Sequence, residues 1–236
     1  MKKTVLVLVI IALASVPALA GLSATMTRSA TQTETIEADG MSGSPWFHNA
    51  QGAGDAYSEF AVSDFSFSQA DFVFEVSNIT DMSVTYTQAN AWFAKAGATA
   101  VWLAAANSTF DDLAFDSSTY PGGVSTATGL SGLGSADLQI VGTGFFSPVG
   151  DGGQKDTIVF SLSDNAEAAL IEAINNGTAF RLVLAAGDEA TAATYAGVGN
   201  YDYDAPQVSI SAVPEPATVA LLGLGTGILS IRRKRY

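Results

Sequence analysis

Apolar and polar side chains alternate in short runs along much of the chain. In DFVFEV (71–76) Phe72, Phe74 and Val76 fall on one face, and in MSVTYTQ (82–88) Met82, Val84 and Tyr86 do the same. Similar runs follow at ATAVWLA (98–104), LQIVGTGFF (138–146), DTIVFSL (156–162), FRLVLAA (180–186) and PQVSISA (206–212). All are short and rich in Val, Ile, Phe, Tyr, Trp and Thr, which predicts β-strands. Turn sequences such as YPGG (120–123) and DGGQ (151–154) separate some of them. A period of two suits antiparallel sheets with one buried face. The pattern therefore predicts an all-β fold, an antiparallel β-sandwich of jelly-roll type, over residues 21–212.

One segment breaks the alternation. SDNAEAALIEAINNG (163–177) has a helical period, with Leu170, Ile171 and Ile174 on one face. Asp164 is placed to cap its first turn, Glu167 lies three residues on, and Asn176-Gly177 provides a left-handed stop. It reads as one short crossover helix packed on the sandwich. The polar stretch 109–134 reads as loops at one end, where a rigid scaffold tends to carry binding residues.

The two ends of the chain differ from this body. Lys2 and Lys3 precede the apolar run Val5–Ala14, and Ala18-Leu19-Ala20 forms a small-residue site. This predicts a signal peptide at residues 1–20, recognised at Ala18 and Ala20 and cut before Gly21 by a signal peptidase of the secretion machinery. At the other end Val213-Pro214-Glu215-Pro216 is expected to be an extended tether without regular structure, since each proline lacks a donor and biases the residue before it. Fifteen uncharged residues follow, Ala217–Ile231, then Arg232, Arg233, Lys234 and Arg235. As a helix the uncharged stretch is about 22 Å long, short of the roughly 30 Å hydrocarbon core. It spans if Pro216 starts the helix and the arginines snorkel, and the basic tip then stays on the cytoplasmic side. Residues 213–236 thus read as a C-terminal single transmembrane helix with its flanks, either a permanent anchor or one removed by cleavage near the prolines.

Charge narrows the partners. Of 23 acidic residues 22 lie between Leu22 and Ala212, with only Arg28, Lys95, Lys155 and Arg181 against them, a net charge of −18. Such a surface repels nucleic acid and anionic lipid head groups. The absence of cysteine excludes a lipoprotein anchor, thiol catalysis and cysteine metal sites.

Candidate chemistry is sparse. His48, the one histidine, sits in SPWFHNAQ (44–51) and reads as a loop residue rather than a triad member. Asp111-Asp112 and Asp188-Glu189 are carboxylate pairs without a feature that singles out an acid and a base. No catalytic residue, cofactor or enzyme activity is assigned. In GNYDYDAP (199–206) Asn200, Asp202 and Asp204 alternate, a candidate set of hard oxygen ligands for calcium and equally a solvated turn before the last strand. Trp46, Phe47 and Tyr120 are candidate rings for stacking on sugars, whereas Trp92 and Trp102 lie in apolar runs and read as core.

Val-Pro-Glu-Pro, a short glycine-interrupted apolar stretch and an Arg-rich end, in that order over residues 213–236, closely resemble the PEP-CTERM sorting signal of bacterial exported proteins. The resemblance implies processing by an exosortase, with Val213, Pro214, Glu215 and Pro216 as the recognition motif and Arg232, Arg233, Lys234 and Arg235 as the cytoplasmic stop. It also implies a link to exopolysaccharide and biofilm matrix. Residues 156–210 are similar to the C-terminal half of jelly-roll surface domains that precede such signals, which implies fold alone. The expectation is an exported, non-enzymatic envelope or matrix protein, transiently anchored in the inner membrane. It acts as a structural or adhesive component; the alternative is a carbohydrate-binding module, and a glycoside-acting enzyme would need two carboxyls facing each other in a cleft.

Overall fold

The computed structural model describes residues 23–37, 45–52, 59–89, 93–104, 114–115, 130–131 and 138–214. In chain order the elements are β1 (Ala24–Ser29), β2 (Gln32–Glu37), β3 (Phe47–Gln51), β4 (Glu59–Ser66), α1 (Gln69–Phe72), β5 (Val76–Thr87), β6 (Gly97–Ala104), β7 (Ala114–Phe115), β8 (Leu130–Ser131), β9 (Leu138–Phe146), β10 (Lys155–Val159), α2 (Asp164–Asn176), β11 (Ala179–Ala186), β12 (Ala192–Ala196) and β13 (Gln207–Pro214). Two antiparallel sheets face each other, one ordered β1-β13-β5-β10 and the other β12-β3-β4-β11-β6-β9, with β2 added on β4. Taking the principal strands in sequence, first pairs with last (β1–β13), then β4 with β11, β5 with β10 and β6 with β9. A chain folded double and wrapped into two sheets produces this order, which is that of a jelly roll.

The smaller sheet alternates as expected. In β13 Val208, Ile210 and Ala212 are buried and Ser209 and Ser211 face out, and in β5 Met82, Val84 and Tyr86 point inward. The larger sheet does not alternate. Ala61, Phe65, Val101, Leu103, Leu182 and Leu184 join the core between the sheets. Phe60, Val62, Trp102 and Val183, in register on its other face, are just as buried. Its central strands are therefore near-continuously apolar, as strands covered on both faces must be.

Two local readings are corrected. DFVFEV is not one strand. Asp71 Oδ2 accepts the Ser68 N–H at 2.8 Å and closes the single helical turn α1, which ends at Val73 in the left-handed region (φ 64°) before β5 begins. Phe72, Phe74 and Val76 are all buried, as the pattern indicated, but a capping interaction across 68–71 outweighs the alternation. In α2 the cap is Ser163, whose hydroxyl accepts the Ala166 N–H at 3.3 Å, rather than Asp164. Glu167 instead reaches across to β5, where its Oε1 accepts the Ile79 N–H and an Asn78 amide proton, both at 2.9 Å. Gly177 ends the helix at φ 66°, as its position after Asn176 indicated. The helix carries the chain from β10 in one sheet to β11 in the other, burying Ala166, Leu170, Ala173 and Ile174.

The last strand also differs from expectation. β13 does not stop at Ala212 but continues through Val213 and Pro214, paired with Asn78 and Val76 of β5. Register shifts at Ser211/Ala212 and Val213/Pro214 bend the strand there, and a bulge at a strand end is where a proline fits. Within 109–134, β7 and β8 pair Ala114 with Ser131 and Phe115 with Leu130. The signal-peptide residues, including Ala18 and Ala20, and everything from Glu215 onward lie outside the described residues. Among the described residues no helix is long and apolar enough to cross a membrane.

Candidate functional site

The loop 197–204, between β12 and β13, is fastened to Pro45 and Trp46, just ahead of β3. The Gly199 N–H donates to the Pro45 carbonyl, and the Gly197 N–H and the Asn200 side-chain amide donate to the Trp46 carbonyl, all at 3.0 Å. A Cβ at Gly197 would stand 2.4 Å from the Pro45 oxygen, so only glycine permits the approach. Asn200 then turns the chain: its Oδ1 accepts the N–H groups of Asp202 at 2.9 Å and Tyr203 at 3.0 Å. The Tyr203 hydroxyl donates to the Asp151 carbonyl, and Lys155 pairs with Asp204 at 2.9 Å.

This fastening presents two large rings to solvent. Tyr201 packs edge-on against Trp46, with ring centroids 4.7 Å apart and an interplanar angle of 86°. Tyr201 is 84 % exposed and Trp46 40 % exposed. The loop backbone that carries Tyr201 is fixed by these bonds, and the edge contact is what sets the two rings against each other. An exposed aromatic pair beside polar groups is a surface for a ligand that offers both C–H faces and hydroxyls.

The smaller sheet, which the loop enters at β13, has an open face lined with hydroxyls. Its registers align Thr25, Ser211 and Asp81 in one row, Thr27, Ser209, Ser83 and Val159 in the next, and Ser29, Gln207, Thr85 and Thr157 in a third. Neighbouring hydroxyls are bonded across the strands: Thr25 to Ser211 at 2.7 Å, Thr27 to Ser209 at 3.2 Å and Thr85 to Thr157 at 2.9 Å. In a strongly acidic protein these three rows hold a single charge, Asp81.

The sequence-selected residues fall as follows. Trp46 is in the exposed pair; Phe47 is half-buried in β3; Tyr120 and Trp92 lie outside the described residues, and Trp102 is buried. Tyr201, which completes the pair, carried no signal beyond its place between turn residues. Asn200 Oδ1 is engaged by the turn and the Asp204 carboxylate by Lys155, so these two serve the loop's own geometry, and Asp202 joins it through its backbone N–H. Among the described residues no group of three His, Asp or Glu side chains gathers as a metal site would require. Asp188 accepts the N–H groups of Ala98, Ala190 and Thr191 and the Thr191 hydroxyl. Burial raises its pKa, but these donors outweigh burial and hold it below the usual value. Asp111 and Asp112 lie outside the described residues.

His48 is a core residue, not a loop residue. It sits in β3 opposite Tyr195, fully buried, stacked on Tyr86 at 5.7 Å. Tyr86 packs on Tyr195 at 5.0 Å, and the Tyr195 hydroxyl donates to Asp156 Oδ2 at 3.1 Å. Burial lowers the imidazole pKa to about 3 and raises both tyrosines, Tyr195 further through the Asp156 carboxylate. Among the described residues neither ring nitrogen of His48 has a hydrogen-bond partner.

Of the sorting motif, Val213 and Pro214 are held in β13; Glu215, Pro216, Arg232, Arg233, Lys234 and Arg235 lie outside the described residues. A comparison with curated proteins finds no match. Residues 212–235 match the family model of the PEP-CTERM protein-sorting motif, so the chain carries the address of an exported protein sorted by an exosortase and anchored in the membrane before processing.

Proposed function

We propose that the exported domain is an adhesive, non-catalytic component of an extracellular matrix that holds neutral polysaccharide through Trp46 and Tyr201. The exposed ring pair, on a loop whose backbone is pinned to Pro45 and Trp46, carries this reading. Pyranose rings present C–H groups on one side and hydroxyls at their rims; the aromatic rings suit the first, and the exposed Asp202 carboxylate beside Tyr201 suits the second. The acidity of the domain disfavours anionic polymers. In this reading the sorting signal delivers the domain to the envelope and the matrix, where it binds and performs no reaction.

The test is a glycan array and titration calorimetry with the exported domain, followed by Trp46→Ala and Tyr201→Ala. Both side chains are exposed, and the Trp46 carbonyl bonds survive the change. Each substitution is expected to weaken binding by about tenfold, roughly 1.4 kcal/mol, with the melting temperature retained. A domain that binds no neutral glycan, or variants that bind as the parent does, would overturn the reading.

A further inference from the structure

The sorting motif does not begin where the fold ends. Val213 and Pro214 are the last two residues of β13, and Pro214 is buried opposite Val76. A proline in a sheet lacks the N–H that a ladder would use. Here the partner makes no such demand. Asn175, near the end of α2, takes both backbone groups of Val76: its Oδ1 accepts the Val76 N–H at 2.9 Å and its Nδ2 donates to the Val76 carbonyl at 2.8 Å. A side-chain amide thus replaces a strand at that position and fixes the β5 residue against which Pro214 lies.

The pairing of β13 is uneven along its length. Gln207 to Ala212 are paired on both flanks, with β1 and with β5. Among the described residues Val213 and Pro214 have a register with β5 alone, beyond a shift in that register. Only Glu215 and Pro216 separate Pro214 from the uncharged stretch that starts at Ala217. Two residues reach at most about 7 Å. An enzyme that reads and cuts a peptide needs it extended, accessible and unpaired, as proteolytic sites generally are.

We infer that the end of β13 is a latch on sorting. The exosortase engages Pro214 only when Val213 and Pro214 peel from β5, and the Asn175–Val76 clamp sets how readily they do. Peeling is local, because the doubly flanked part of β13 stays in the sheet. A folded domain is consequently processed slowly and an unfolded one quickly. The inference rests on sorting by an exosortase, and the controls separate the two.

Pulse-chase labelling of the full chain in its own host measures the processing rate. Two variants loosen the latch by different routes. Inserting Gly-Ser-Gly-Ser between Ala212 and Val213 moves the whole motif out of the sheet. Asn175→Ala keeps the length and removes only the clamp, which separates pairing from reach. Both are expected to be processed at least threefold faster than the parent, with protease resistance of the domain confirming that it remains folded. If both are processed at the parental rate or more slowly, or if the spacer accelerates processing and folded Asn175→Ala does not, the latch is wrong. Should Asn175→Ala fail to fold, Asn175→Asp, which keeps the acceptor and loses the donor, takes its place under the same criteria. Processing that persists in a strain without exosortase overturns the sorting assignment itself.

Discussion

Arg181 of β11 grips Asp64 of β4 through two parallel bonds, Nε to Oδ1 and Nη2 to Oδ2, both 2.8 Å long. The two residues stand in direct register on the face of the larger sheet that also buries Val62 and Val183. Removing one partner leaves the other charge in a poorly hydrated setting. Arg181→Met is expected to destabilise the domain by about 3 kcal/mol, and Arg181→Met with Asp64→Leu by clearly less, because an apolar pair of similar size leaves no buried charge. Urea unfolding of the four members of this cycle measures it.

His48 makes stability depend on pH in a window of its own. Folding lowers its pKa from 6.5 to about 3, so between those values the unfolded chain binds one proton more than the folded one. Stability is full above about pH 6.5 and falls toward pH 3, with a slope approaching 1.4 kcal/mol per pH unit, roughly the value of one proton. Asp71 and Asp188 act lower. Burial raises both, but Ser68 and Arg28 at Asp71, and Thr191 with the Ala98 and Ala190 N–H groups at Asp188, hold both below 3.8. Their contribution is present above 3.8 and is lost as the pH falls through their lowered values. His48→Phe is therefore expected to flatten the stability curve between pH 6.5 and 5 and to leave the steeper acid limb, which thermal melts at half-unit intervals will resolve.

Val73 is a β-branched residue in the left-handed region, φ 64°, and its side chain is 86 % exposed. Its backbone is held there because its N–H donates to the Gln69 carbonyl at 2.8 Å, closing α1. The side chain adds strain and little packing. Val73→Gly is expected to stabilise the domain by about 1 kcal/mol, a rise of a few degrees in melting temperature. A fall would mean that Val73 packs on something in solution.

Gly97 opens β6 beneath Thr191. A Cβ there would lie 1.8 Å from the Thr191 hydroxyl and 3.1 Å from Asp188 Oδ2. Gly97→Ala must displace the Asp188–Thr191 turn, at a cost of about 2 kcal/mol, read as a lower urea midpoint at unchanged slope. The double variant Gly97→Ala, Thr191→Ser keeps the hydroxyl and removes a methyl, and should recover little, since the oxygen is the nearest atom.

Much of the sandwich was legible because period-two alternation reports one-sided burial. β9 has the limits that LQIVGTGFF indicated, and β11 extends FRLVLAA by one residue. The strands before residue 67 were not legible. β1 reads ATMTRS and β2 QTETIE, polar runs that become strands by pairing with partners distant in the chain, such as Ile210 opposite Met26 and Ala61 opposite Thr35. DFVFEV misled because its three apolar residues are buried through a turn and not along a strand. The candidate site was half legible. Trp46 stood out as a ring among turn residues, but its neighbour Tyr201 lies 155 positions away, and no local pattern expresses that contact. The tether misled in the opposite sense: proline chemistry argued for an unpaired chain, yet Pro214 stands in register with Val76, whose N–H and carbonyl are both taken by Asn175, distant in sequence.

The position of β13 bears on how the domain answers a pull. The strand starts just after the ring-bearing loop and ends at the tether, flanked by β1 and β5 over Gln207–Ala212. Tension applied between a polymer at Tyr201 and a membrane beyond Pro214 runs along that strand. Both points of attachment lie at the ends of this one strand, so its covalent backbone, already extended over Gln207–Pro214, carries the load and the hydrogen bonds to β1 and β5 are not strained by it. Neither sheet has to open for such a force to pass from the loop to the tether, so the rest of the sandwich is spared the pull.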